Sequence, residues 1–122
     1  MMDSSELGFF SIPVNDMRVS KKFYLQVMGW NFETRDLEFS YIFGNGKMLG
    51  ALEKSNDLFA PAASGPLMYF QSASIGTTLE AVVSGGGKVF AALTPIEDGE
   101  RGFSAKVLDP SGNKIAFWSM EK

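Results

Sequence analysis

The chain has 122 residues, 45% apolar, 13% aromatic and 20% charged, a balance that fits one compact core and leaves no room for a second. Its 11 basic against 14 acidic side chains give a net charge of −3, the wrong sign for gripping a phosphate backbone, so nucleic acid is not an expected partner. It contains neither His nor Cys, which removes disulfides, Cys-type zinc sites, Ser-His-Asp and Cys-His nucleophilic systems and the two-His-one-carboxylate iron site.

The opening residues, Met1 to Glu6, are polar and acidic, unlike a signal peptide. No apolar run nears the roughly 20 residues that a membrane-spanning helix needs, so a cytoplasmic protein without a membrane partner is expected. Phe9 to Val14 reads as a short buried strand, and Asn15-Asp16 supplies the cap of a helix with an apolar stripe of Met17, Ser20, Phe23, Tyr24 and Val27. Gly29 is its natural stop. Strands follow at Trp30 to Glu33, Glu38 to Phe43 and Lys47 to Glu53, the last two joined by the tight-turn signal Gly44-Asn45-Gly46.

Residues 55–65 are rich in Ala, Pro, Ser and Gly and read as a linker. Beyond it the order restarts. Leu67 to Phe70 forms an apolar run, and Ser74 caps a second helix with the stripe Ile75, Leu79, Val82 and Val83, closed by Gly85-Gly86-Gly87. Strands are predicted at Lys88 to Leu93, Phe103 to Leu108 and Lys114 to Ser119, with a tight turn at Asp109-Pro110-Ser111-Gly112-Asn113. A shift of 58 places Phe10 on Met68, Met17 on Ile75, Tyr24 on Val82 and Gly29 on Gly87, the register of an internal duplication. The segment Pro95 to Gly102 mixes glycines and charges, and reads either as a lid at the mouth of a site or as an ordinary acidic hairpin.

With Ile12-Pro13-Val14-Asn15-Asp16, Phe23-Tyr24, Met28-Gly29-Trp30, Gly85 to Val89 and Asp109 to Ile115 in this order and spacing, the sequence resembles the vicinal oxygen chelate superfamily of glyoxalases, bleomycin-resistance proteins and extradiol dioxygenases. The resemblance implies an α+β fold of one domain spanning 1–122, with two βαβββ modules near 7–54 and 66–120. Their strands would curl into a cup-like mixed sheet with the helices outside. It also implies a divalent metal bound by His, Glu or Gln from the first and last strand of each module. Aligned on those motifs, the ligand positions fall on Phe9, Leu67 and Ala116, with a first-module counterpart near Gly50 or Leu52. None of these side chains binds metal, and Glu53 is the only nearby carboxylate, so a metal-free cup without a cofactor is expected.

Alternation along strands adds Ser11, Tyr69, Ser104, Lys106 and Trp118 to the residues facing the cup. Tyr69 and Trp118 combine an apolar body with a polar handle, and Lys106 would meet a carboxylate or phosphate on a ligand unless it faces solvent at a sheet edge. The expected function is capture of a small apolar or aromatic organic molecule, by a chain that pairs as a homodimer. The alternative is a glyoxalase-related lyase or isomerase, with Glu53 or Glu33 as base and Lys106 stabilising an enolate, or with a metal completed by a partner chain.

Overall fold

The computed structural model describes residues 4–55 and 66–122. The order strand, helix, three strands occurs twice: β1 (Phe10–Val14), α1 (Met17–Met28), β2 (Asn31–Asp36), β3 (Phe39–Gly44) and β4 (Lys47–Lys54), then β5 (Tyr69–Gln71), α2 (Ile75–Ser84), β6 (Lys88–Pro95), β7 (Phe103–Leu108) and β8 (Lys114–Ser119). The fold is α+β, two βαβββ modules whose mixed sheets curl without closing. Among the described residues there are two four-stranded sheets, ordered β1-β4-β3-β2 and β5-β8-β7-β6. In each, the first and last strands of the module run parallel and the remaining neighbours antiparallel. Among the described residues no helix is long and apolar enough to cross a membrane.

Local chemistry sets the helix boundaries. The Asp16 carboxylate accepts from the Val19 N–H at 3.0 Å, satisfying one of the donors that a helix start leaves open. Gly29 ends α1 in the left-handed region at φ 70°, and its N–H donates to the Leu25 carbonyl. Ser74 caps α2 in the same way as Asp16 caps α1, accepting from Thr77 N–H. The predicted α1 stripe faces inward, with Ser20, Phe23 and Tyr24 buried. In α2 Ile75 and Val82 are buried, whereas Val83 is 61% exposed and drops out of its predicted stripe, since the residue after Val82 turns away from the sheet.

One apolar core joins the modules: Ile12, Val14, Phe23, Tyr24, Trp30, Ile42 and Leu52 from the first pack in a single cluster with Ile75, Val82, Ala105, Val107, Ile115 and Phe117 from the second. Trp30 joins it, stacked on Tyr24, tilted against Phe10 and edge-on to Phe70. The turn Asp109 to Asn113 locks the same contact. Buried Asp109 accepts from Tyr24 Oη at 2.6 Å, from the Ser111 and Asn113 N–H groups and from Asn113 Nδ2, while Asn113 Nδ2 also donates to the Pro13 carbonyl at 2.7 Å. Burial, reinforced by the Asp109 charge and hydrogen bond, holds the Tyr24 phenol well above its ordinary pKa.

Several predicted boundaries move. β1 begins at Phe10 and β5 at Tyr69, so Phe9 and Leu67 precede their strands, while β2 starts after Trp30 and runs to Asp36 and β6 runs past Leu93 to Pro95. Of the predicted linker only Ser55 lies among the described residues, its N–H donating to the Val14 carbonyl at 2.8 Å; residues 56–65 lie outside them.

Candidate functional site

Residues opposite one another in a ladder share a face. In the first sheet the register aligns Ser11, Ala51, Tyr41 and Glu33; in the second it aligns Tyr69, Ala116 and Lys106, with Ala91 beyond. Both rows lie on the faces turned away from the helices. Ala51 and Ala116 are fully covered yet belong to no part of the shared core cluster, which marks them as occupants of this second face. Gly50 and Leu52 face the other way, with Leu52 in the core and no room for a β-carbon at Gly50 beside the Phe10 carbonyl.

The first-module counterpart of Ala116 is therefore Ala51, not Gly50 or Leu52. The equivalence also locates an insertion. Ser11 and Tyr69 are 58 residues apart, as are Glu33 and Ala91, but Ala51 and Ala116 are 65 apart, as are Tyr41 and Lys106. The second module thus carries seven additional residues between its second and third strands, at the turn around residues 96–102.

That turn is internally bonded. Glu97–Gly99 forms a 3-10 turn, Ile96 N–H donates to Gly102 O, Arg101 pairs with Glu97, and Trp118 Nε1 donates to Arg101 O at 2.7 Å. Of the two predicted roles, a fastened hairpin describes it. The indole N–H of Trp118 is thereby used inside the protein, and only its ring remains for a ligand.

The structure brings Ser104, Lys106, Ala116, Trp118 and Tyr69 together on the open face of the second sheet. Lys106 stands on β7, an interior strand, half-buried and not at an edge. Ser11 lies on the corresponding face of the first sheet, and Phe9, 48% exposed, precedes its strand. Leu67 is half-buried ahead of β5. Glu53 and Glu33 are exposed on the first sheet, so neither shares a sheet with Lys106. Two surface hollows, of about 290 Å³ between the end of α1 and the β3–β4 turn and about 500 Å³ over α2 and β6, contain none of the nominated residues.

Sequence reasoning passed over three further residues on this face. Lys88 and Lys114 flank Leu108 in the row below Lys106, and the Lys114 ammonium lies 4.3 Å from the centre of the Phe90 ring. Alternation from Lys106 through Leu108, carried across the turn, would have found Lys114; Lys88 needed the β6–β7 pairing, and Phe90 sits at a break in that register.

A profile of the Glyoxalase/Bleomycin resistance protein/Dioxygenase superfamily matches residues 6–117. The chain belongs to that superfamily. Among solved structures sharing the fold are a glyoxalase-related enzyme from Fulvimarina pelagi (16% identity, TM-score 0.75, covering 95% of this chain and 88% of that one) and the fosfomycin resistance protein FosX from Listeria monocytogenes (15% identity, TM-score 0.76, 96% and 94%). A third is a glyoxalase/bleomycin resistance protein/dioxygenase family enzyme from Burkholderia phytofirmans PsJN (15% identity, TM-score 0.75, 95% and 99%). No functionally curated protein matches the chain. A variant of the Listeria protein is described in complex with Mn(II) and a dihydroxypropylphosphonic acid.

The metal that the superfamily resemblance implies does not fit the residues present. Its four positions are occupied by Phe9, Ala51, Leu67 and Ala116, side chains without a lone pair to offer. Among the described residues no three His, Cys, Asp or Glu side chains gather closely enough to hold an ion.

Proposed function

We propose that this superfamily member is a metal-free binding protein that holds a small apolar or aromatic organic molecule on the open faces of its sheets. The observation that carries the reading is that Phe9, Ala51, Leu67 and Ala116, apolar side chains, stand where the resemblance implies coordinating ones, with Ser11 and Tyr69 paired to Ala51 and Ala116 in matching rows. Replacing donors by methyl groups and rings exchanges affinity for a cation for affinity for apolar surface. Phe9, Ser11, Leu67, Tyr69, Ser104, Lys106, Ala116 and Trp118 would line the ligand. The lyase or isomerase reading is weaker, because its candidate bases Glu33 and Glu53 are exposed to solvent.

The free outer edges of β2 and β6 support a homodimer that covers them. Metal analysis of purified protein, combined with a thermal-shift screen and sedimentation, tests the proposal. The expected outcome is no stoichiometric metal, no rise in Tm with Zn, Ni, Mn or Fe ions, a rise with hydrophobic organic compounds, and twice the chain mass. One equivalent of tightly held metal would overturn it.

A further inference from the structure

Resting on that reading, we propose that the ligand is an aromatic anion, a ring carrying one carboxylate or phosphate, seated on the second sheet. Alternation along β5, β6, β7 and β8 puts Lys88, Lys106 and Lys114 on one face, and every other residue that the ladders place there is neutral: Gln71, Ala91, Thr94, Ser104, Leu108 and Ala116, with the rings of Tyr69, Phe90 and Trp118. None of the three lysines has an ion-pair partner among the described residues. The chain as a whole is acidic, so a face with three cations and no carboxylate is a local reversal of its charge.

The rings are placed to match. Tyr69 is 51% and Phe90 57% exposed, a large apolar area to leave open on a sheet. In the same row Ala116, itself fully covered, lies between Tyr69 and Lys106, which places a ring and an ammonium two strands apart on one face. A flat ligand ring lying against the exposed Tyr69 ring would carry its anionic group toward Lys106, with Lys114, already poised over Phe90, on the next row. The first sheet offers no such arrangement, since its corresponding row ends in Tyr41 and Glu33.

Titration calorimetry with naphthoate, naphthylmethanol and inorganic phosphate tests this. Naphthoate should bind at least about tenfold more tightly than either other probe, as one charge-assisted hydrogen bond supplies. Lys106→Met should weaken naphthoate about tenfold and leave naphthylmethanol unchanged, and the control Lys47→Met, on the first sheet, should alter neither. Equal affinity for naphthoate and naphthylmethanol, insensitive to Lys106→Met, would overturn the inference while leaving the binding function standing. Phosphate binding as tightly as naphthoate would overturn it as a bare cationic patch. If a second copy covers this face, Lys106→Met will change the sedimentation coefficient and naphthoate will not compete, which also overturns it. Binding of neither naphthalene compound would remove both this inference and the function on which it rests.

Discussion

Tyr24 illustrates how one hydroxyl can serve two modules. Its ring lies in the shared core, edge-on to Phe23 and stacked on Trp30, while its oxygen donates to an Asp109 carboxylate that is itself buried and saturated by three other donors. Tyr24→Phe keeps the ring and deletes the donor, so it should cost about 1–3 kcal/mol in urea unfolding, the penalty for an under-satisfied buried acceptor. The raised phenol pKa adds a pH signature. Because the folded state binds this proton more tightly than the unfolded chain, its contribution is complete below about pH 10 and declines as pH rises beyond, where the unfolded phenol ionises first. Stability measured from pH 9 to 11 should therefore fall less steeply for Tyr24→Phe than for the parent, and parallel slopes would show that the phenol keeps its proton equally well in both states.

The strands show the same economy at Gly50. A β-carbon there would collide with the Phe10 carbonyl, and the atom in the way is backbone that cannot rotate aside. Gly50→Ala should force β1 away from β4 and lower stability by about 1–3 kcal/mol, read as a reduced urea midpoint with an unchanged slope. Glycine at this position was visible in the sequence, but its reason was not, since the contact joins residues forty apart through a parallel ladder. The helices were legible because their signals are local: Asp16 and Ser74 at the caps, Gly29 at the stop and a 3.6-residue stripe between. The open face was legible in part for a similar reason, as period-two alternation assigns Ser104, Lys106 and Trp118 to one side without knowledge of their neighbours. Pairing Ala116 with Ala51 required the register itself, because the seven residues inserted before β7 break the shift that holds through β1, α1 and β2. The consumption of the Trp118 N–H by Arg101, across a turn seventeen residues away, had no local signature at all.

At the scale of the whole molecule, the duplicated modules do not have separate interiors. Their apolar residues form one cluster, Phe10 meets Phe70 across the boundary, and the Asp109 turn bonds to Pro13, Asn15 and Tyr24 of the other half. Neither half could unfold without exposing apolar surface and stranding buried polar groups of the other, so the two should melt as one unit. The two tryptophans allow a direct check, since Trp30 sits in the first module and Trp118 in the second. In Trp118→Phe the remaining indole reports the first module, and in Trp30→Phe it reports the second, while far-UV circular dichroism reports both. Within each variant the fluorescence and dichroism transitions in urea should coincide, whatever the loss of stability that Trp30→Phe causes by thinning the core. A fluorescence midpoint displaced from the dichroism midpoint would mean that the modules hold themselves together independently, and that the hydrogen bonds of the Asp109 turn are only a contact between finished halves.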